Sequence, residues 1–369
     1  MSLYLCVDCG GSKTSAVICD ADGAVVGRAL SGPSNFAYLG IVAFTREVHI
    51  AVAAALQTTS SPITLPPAPG TPSPFARAWF GISGVDSPRA AVSAASALSI
   101  LLALPIPTGP ESRLQVANDT HLLAAPLRTH PALTHAMAVI GGTGAVCVSF
   151  DRELTVLGRV GGWGWILGDE GGGFHVGREA VRQLLFDADR ATLGGPAQPP
   201  SVLKERILAR FGLSEENAME ILALVHVPDP DPTAVPTDIP ETPEGELEIL
   251  ADAPRLMVRE KRLSSLPPLV FTAAFVDRDP FALRVLGVSA RALADQIRIL
   301  LRSPSSSSAD EASPNSILAS STVLCFGGSL VGIPEYRTLI LDILKEDGHE
   351  FGAVEFVDDV SKTGAEALA

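Results

Sequence analysis

The 369-residue chain is short of positive charge, with 27 Lys and Arg against 41 Asp and Glu and a net charge of about −14. A nucleic-acid binder needs a basic face, so that class is excluded. Long apolar runs are missing too: "SALSILLALPIP" stops at proline, well below the roughly 18 residues of a membrane span. Met1 leads straight into a strand-like segment, without the basic and apolar regions of a signal peptide, so a cytoplasmic protein with no membrane partner is expected. Cysteine is scarce and odd in number (6, 9, 19, 147 and 325). Cys6 and Cys9 form a C-x-x-C, but no second one completes a zinc site. A redox pair usually sits at a helix N-terminus, whereas this one lies inside a predicted strand, whose period of two sends residues three apart to opposite faces. The cysteines therefore read as buried structural thiols. A Walker A loop is also absent.

What is present is a globular α/β composition, 47% apolar and 18% charged, in a chain long enough for two domains. "LYLCVD", "SAVICD" and "AVVGRAL" read as three strands joined by the turns "CGGSKT" and "ADG". The pattern returns about 130 residues later in "AMAVIGGTGAVCVSFDRELTVLGR". Gly10-Gly11-Ser12 matches Gly141-Gly142-Thr143, and both copies close on Gly-Arg (Gly27-Arg28, Gly158-Arg159). This is the mark of a duplicated α/β domain. Domains over 1–134 and 135–369 are expected, with a helix near 360–369 packing back on the first. Helices are expected over 44–57, 88–103, 202–224 and 278–302, and strands over "RAWFGIS", "RLQVAND" and "STVLCFGG". The Pro-rich acidic stretch 226–246 and the Ser-rich 303–316 read as surface insertions.

Two facing Gly-rich hairpins can hold a nucleotide triphosphate, because glycine lets backbone N–H groups approach phosphate. Ser12, Lys13, Thr14 and Thr143 add side-chain donors, and Asp8 is placed to orient Mg²⁺ through water. Asp119, after "RLQVAN", is either a carboxylate able to accept a hydroxyl proton or a helix N-cap.

"DCGGSKT", "VANDT", "GGTG", "GGWGWILGDEGGGF" and "LCFGGS" stand in the order found in actin-like sugar kinases. The chain resembles the N-acetylglucosamine kinase group of the BadF/BadG-type ATPase family. The resemblance covers 1–186 well, 322–369 moderately, and the intervening part by position alone. It implies a duplicated ribonuclease-H-like (actin-like ATPase) fold, with two domains around a cleft that holds ATP and an amino sugar. ATP would meet Gly10, Gly11, Gly142, Gly144, Gly327 and Gly328. Asp119 would be the general base toward the sugar's 6-hydroxyl. Asn35, Asn118, Ala145, Gly162, Trp163, Gly164 and Asp169 would hold the sugar. The chain departs from the family pattern at Cys9 for glycine, Ala145 for serine and Phe174 for tyrosine; Cys9 is expected to add a side chain beside the phosphate turn. Alternatives within the fold are a kinase for glucosamine or another hexose, and a non-catalytic sensor. An activator of a radical dehydratase would need a cysteine pair on its cluster side, which is lacking. A homodimer stays open.

Overall fold

The computed structural model describes residues 2–59, 63–68, 70–106, 109, 112–194, 199–230, 256–303 and 313–369. Two five-stranded sheets share one topology. The first contains β1 (Leu3–Cys9), β2 (Thr14–Cys19), β3 (Val25–Ser31), β4 (Phe75–Ile82) and β5 (Leu114–Ala117), in the order β3-β2-β1-β4-β5. The second contains β6 (His135–Gly141), β7 (Ala145–Phe150), β8 (Val156–Gly161), β9 (Thr322–Gly327) and β10 (Ala353–Phe356), in the order β8-β7-β6-β9-β10. In each, three antiparallel strands are followed by two parallel ones.

The duplication extends to local chemistry. Asp20 Oδ1 accepts from the amides of Asp22 and Ala24, and Asp151 Oδ1 accepts from those of Glu153 and Thr155. Both turns need one left-handed residue, Gly23 at φ 77° and Leu154 at φ 63°. The phosphate-type hairpins differ by one residue, however. Cys9 pairs with Thr14 across the first, and Gly141 with Ala145 across the second. Gly141 is thus the counterpart of Cys9, not of Gly10, and Ile140 is the counterpart of Asp8.

Alternation along the strands sorts side chains into three cores. The outer face of the first sheet (Leu5, Val7, Cys9) packs under α1 (Phe36–Gln57) and α2 (Pro88–Leu102). α1 starts earlier than expected, capped by Asn35 and kinked at Gly40. It is long and apolar enough by composition to cross a membrane, which corrects the expectation drawn from apolar runs. Its stripe of Phe44, Val48, Val52 and Leu56 is nevertheless buried against the sheet. The outer face of the second sheet (Met137, Val139, Cys147) packs under the longer helices of that half. These are α4 (Gly173–Thr192), α5 (Val202–Arg210), α6 (Ile221–His226), α7 (Arg259–Ser264), α8 (Pro267–Phe275), α9 (Pro280–Leu300) and α10 (Pro334–Glu346). The single helix expected over 202–224 is broken at Gly212, which adopts φ 68°. Most of the two expected insertions, 231–246 and 304–312, lies outside the described residues.

The inner faces meet each other. Cys6, Val17 and Trp79 of the first sheet and Val148, Phe150 and Cys325 of the second form one buried cluster. α3 (Thr120–Leu123) and α11 (Val360–Glu366) fill the space between them. α11 follows the second sheet yet lies on β1 and β2: Ser361 Oγ is 2.7 Å from Ser15 Oγ, and a Cβ on Gly364 would be 2.4 Å from Cys6 Sγ.

All five cysteines are free and buried, with Cys6 and Cys9 on opposite faces of β1. The Cys9 side chain therefore enters the α1–α2 core instead of flanking the phosphate turn. Cys9→Gly should cost about 1–3 kcal/mol of stability, by loss of buried volume and added chain entropy. Thermal melting would show the loss, while turnover changes little.

Candidate active site

The first hairpin is closed by Gly10 N–H donating to Lys13 O at 3.0 Å. Gly11, Ser12 and Lys13 stand exposed beyond it. Thr14 does not join them: it is fully buried, its hydroxyl donates to Gly32 O at 2.7 Å and shares a 2.6 Å hydrogen bond with Ser34 Oγ. It fastens the hairpin to the segment before α1.

The second hairpin is seated on α4. The amides of Gly173 and Phe174 donate to the carbonyls of Gly142 and Thr143 at 2.8 and 3.0 Å, which uses donors that a helix start leaves unpaired. A Cβ on Gly172 would lie 2.6 Å from the Gly144 carbonyl carbon, so this approach requires glycine. Asp169 packs under the same hairpin and accepts from the amides of Gly164 and Ala145; burial still lifts its pKa. Ala145 turns its methyl into the core and contributes only backbone, its carbonyl accepting from Gly162 N at 2.8 Å. Gly328, at φ 103°, packs on the end of β6, where a Cβ would be 2.7 Å from Gly141 O.

Between the halves lie two adjoining cavities. The larger, about 530 Å³, is lined by Asp8, Lys13, Ser15, Arg28, Gly327 and Gly328. The smaller, about 350 Å³, is lined by Asn35, Tyr38, Ser83, Asp86, Asn118 and Arg159. Asp119 and Ile140 border both. A still larger cavity of about 940 Å³, by Leu184, Arg190 and Lys204, holds none of the motif residues.

β5 ends at Ala117, so Asn118 and Asp119 form the turn after the strand instead of its last residues. Gly81 on β4 makes room for them: a Cβ there would be 3.1 Å from Asp119 Cα and 2.5 Å from Leu122 Cγ. Asp119 occupies the position before α3 but makes no side-chain cap bond. Asn118 does that work, its Oδ1 accepting from Thr120 N at 3.1 Å and Thr120 Oγ1 at 2.9 Å while its Nδ2 donates to Asp86 Oδ1 at 3.0 Å. Burial raises the Asp119 pKa against the pull of the Thr120 amide and the Ser83 hydroxyl, and Asp86 adds to the rise. Asp8 is pushed up to about 6, first by burial and then by the charge of Asp119, against the pull of Lys13. Two half-buried carboxylates near a lysine, Asp119 raising the pKa of Asp8, suit a divalent cation completed by phosphate and water. Among the described residues no group of three or more His, Cys, Asp or Glu is arranged to hold a metal by itself.

Asn35 both caps α1, accepting from Tyr38 N at 3.2 Å, and donates to Ser83 Oγ at 3.1 Å. Gly162, Trp163, Gly164 and Asp169 do not line either cavity, and Trp163 stands 67% exposed. The second half reaches the small cavity through Ile140, Val146 and Arg159 instead. Ser83, Asp86, Arg28 and Arg159 were not foreseen as site residues; the repeated Gly-Arg pair was the available signal for the two arginines. His175, buried behind the loop, bonds Glu170 at 2.7 Å through Nε2, and its Nδ1 accepts from Gly171 N at 3.0 Å and lies 3.1 Å from Ser289 Oγ. Tyr336 OH closes this network on Ser289 and Gly171 O.

No family model matches the chain. It is 27% identical over 214 residues to N-acetyl-D-glucosamine kinase of Dictyostelium discoideum, covering 58% of this chain and 62% of that one. The match therefore spans less than two thirds of that relative's length. Over 52 residues, 14% of this chain and 17% of the other, it is 42% identical to N-acetylmuramic acid/N-acetylglucosamine kinase of Clostridium acetobutylicum. A structure from Porphyromonas gingivalis, assigned as a candidate N-acetylglucosamine kinase, superposes with a TM-score of 0.58 at 20% identity, covering 100% of this chain and 98% of that one. Another from Chromobacterium violaceum, assigned likewise, gives 0.54 at 18% identity, covering 100% and 99%. The fold is the duplicated actin-like ATPase fold. The first of these relatives bears the name of the group that the motifs resemble.

Proposed function

We propose that the chain is an ATP-dependent kinase that phosphorylates the 6-hydroxyl of N-acetylglucosamine, giving the 6-phosphate and ADP. The observation that carries this reading is the position of Asp119 on the wall common to two cavities. One has a lysine, a carboxylate and the Gly327–Gly328 turn on its wall, groups that suit a bound phosphate. The other offers the amides and carboxylates that recognise hydroxyl and acetamido groups. A carboxylate at the border can take the proton of a hydroxyl presented from the small side as it bonds to phosphorus on the large side. The names of the two relatives agree with an N-acetylhexosamine as acceptor.

In this reading the hairpin amides at Gly11–Lys13 and Thr143–Gly144 hold phosphate oxygens, with Lys13 supplying charge, while those of Gly10 and Gly142 close the hairpins. Asp8 would hold Mg²⁺ through water, and the ion would neutralise charge on the phosphates. Asn35 and Asn118, each already fixed by a second hydrogen bond, orient the sugar without losing rotamer freedom on binding. Trp163, Gly164 and Asp169 reach the sugar when the halves close, a motion expected when a ligand makes contacts with both.

Coupled ADP release, measured across hexoses and N-acetylhexosamines, tests the reading. Sugar-dependent release with N-acetylglucosamine well above glucose, glucosamine and galactose is the expected outcome. Release that no sugar stimulates would overturn it.

A further inference from the structure

The loop that carries Trp163, Gly164 and Asp169 is rich in glycine, and its conformation is held by side chains from three helices. Gln296 of α9 reaches both of its ends. Its Nε2 donates to Glu170 O at 2.5 Å, and a Cβ on Gly161, the last residue of β8, would meet its Oε1 at 2.1 Å. Gly171 follows at φ 87°, so near α9 that a Cβ would lie 2.5 Å from Leu293 Cβ. Its N–H donates to Nδ1 of His175 on α4 at 3.0 Å, and its carbonyl accepts from the hydroxyl of Tyr336 on α10 at 3.2 Å. Ser289 Oγ stands between these two partners, 3.1 Å from each. The bond to His175 is buried, so Gly171 N–H has no solvent to fall back on.

We propose that His175 is a positioning residue: by accepting from Gly171 N–H it fixes the short step back to Asp169, and so sets how tightly the closed cleft holds the sugar. The proposal rests on the sugar-kinase reading above, in which Asp169 reaches the sugar. Gly168 and Gly171, on either side of Asp169, both have positive φ, at 136° and 87°. Glycine has the widest backbone freedom, so such a loop keeps one shape only where other groups impose it. A carboxylate that wandered would have to be ordered on binding, at a cost in affinity. The partners also fix the tautomer. Gly171 N–H is a donor, so Nδ1 carries no proton; Nε2 carries it and donates to Glu170 Oε2 at 2.7 Å. Arg178 Nη2 holds the same carboxylate, 2.8 and 2.7 Å from its two oxygens, and Glu179 with Arg182 completes the charges around the ring. The two ring nitrogens therefore have separable tasks. Glu170 keeps Arg178 if the ring is lost, whereas Gly171 N–H is left unpaired.

Two substitutions split the contacts of the ring. His175→Asn keeps an acceptor oxygen near the place of Nδ1, and His175→Gln keeps an amide donor near that of Nε2. With N-acetylglucosamine as acceptor, KM for the sugar should rise about 10- to 100-fold in His175→Gln, the range for leaving a buried donor unpaired. Its kcat should fall far less, because Asp119 and the phosphate hairpins are untouched. His175→Asn should keep a KM near that of the wild type. Tyr336→Phe keeps the ring in the core and takes the hydroxyl from Gly171 O, so it should raise KM as well; it carries the comparison should His175→Gln not fold. A merely structural role would lower Tm in these variants and leave KM alone, and that result overturns the proposal. So does an equal rise in KM for His175→Asn and His175→Gln, which would put the weight on the bond to Glu170. Either outcome leaves the kinase reading intact, whereas a wild type that no sugar stimulates removes both.

Discussion

Asp119→Asn is expected to lower turnover by about 10²- to 10⁴-fold, the range for removing a positioned general base. Sugar affinity should change much less, since the amide keeps the shape and one acceptor oxygen. The alternative role, a helix cap, predicts near-normal turnover, because Asn caps about as well as Asp. Asn118 Oδ1 accepts from both Thr120 N and Thr120 Oγ1, which supports the first role. Removing Asn118 instead should therefore loosen the turn and raise KM more than it lowers kcat. Single-turnover phosphorylation with a titration of sugar binding would measure both effects. Asp119→Asn turning over at more than about a tenth of the wild-type rate would end the catalytic assignment.

The pH profile of kcat/KM should carry the same signature. Burial and the neighbouring carboxylates hold the pKa of Asp8 near 6 and raise that of Asp119 in the ligand-free protein. Both must be ionised, one beside the cation and one to accept a proton, so activity should decline on the acid side of neutrality. An ordinary carboxylate pair would sustain it well below pH 5.

How much of this was legible in the chain depended on how local each feature is. Strand, glycine turn and strand are written in consecutive residues, and their repetition gave the duplication and both hairpins. The orientation of Cys9 was also available, since period two sets it opposite Asp8. Thr14 was harder: its hydroxyl is claimed by Gly32 and Ser34, partners brought in only by the segment after β3. The division of the cleft into two cavities was not readable, because its walls come from the end of β4, the turn after β5 and β8, joined only by packing. Asp358, Asp359 and Ser361 line the larger cavity from near the chain end, through a helix that returns from the second sheet to the first. The one-residue difference between the hairpins escaped because the Gly-Gly pair can be matched in two registers. Strand pairing decides it, and puts Ile140, not a second acid, opposite Asp8.

That asymmetry leads to the second large effect, at Asp8. An ionised carboxylate largely buried beside Asp119 is a cost to the ligand-free fold. The folded pKa of about 6 lies above the unfolded value of 3.8, so the native state binds the proton more tightly. The cost is fully present above about pH 6, shrinks as the pH falls, and is gone below the unfolded value. Asp8→Asn removes it, and should stabilise the ligand-free protein at pH 8 by on the order of 1–3 kcal/mol. In a chain of this size that is a rise of a few degrees in Tm. Near pH 4.5 most of the difference should vanish, because the wild-type carboxyl is by then protonated in the folded state. Function should move the other way. Without its charge the site holds a divalent cation poorly, and turnover should drop by at least about 10²-fold, the scale for losing one preorganised electrostatic group. The stabilisation that Mg²⁺ with an ATP analogue gives the wild type should shrink in step, since that ligand is what repays the buried charge. Differential scanning fluorimetry at the two pH values, with and without Mg²⁺ and nucleotide, measures all three effects. A variant that melts no higher at pH 8 and keeps its response to magnesium nucleotide would show that Asp8 is neither strained nor at the cation.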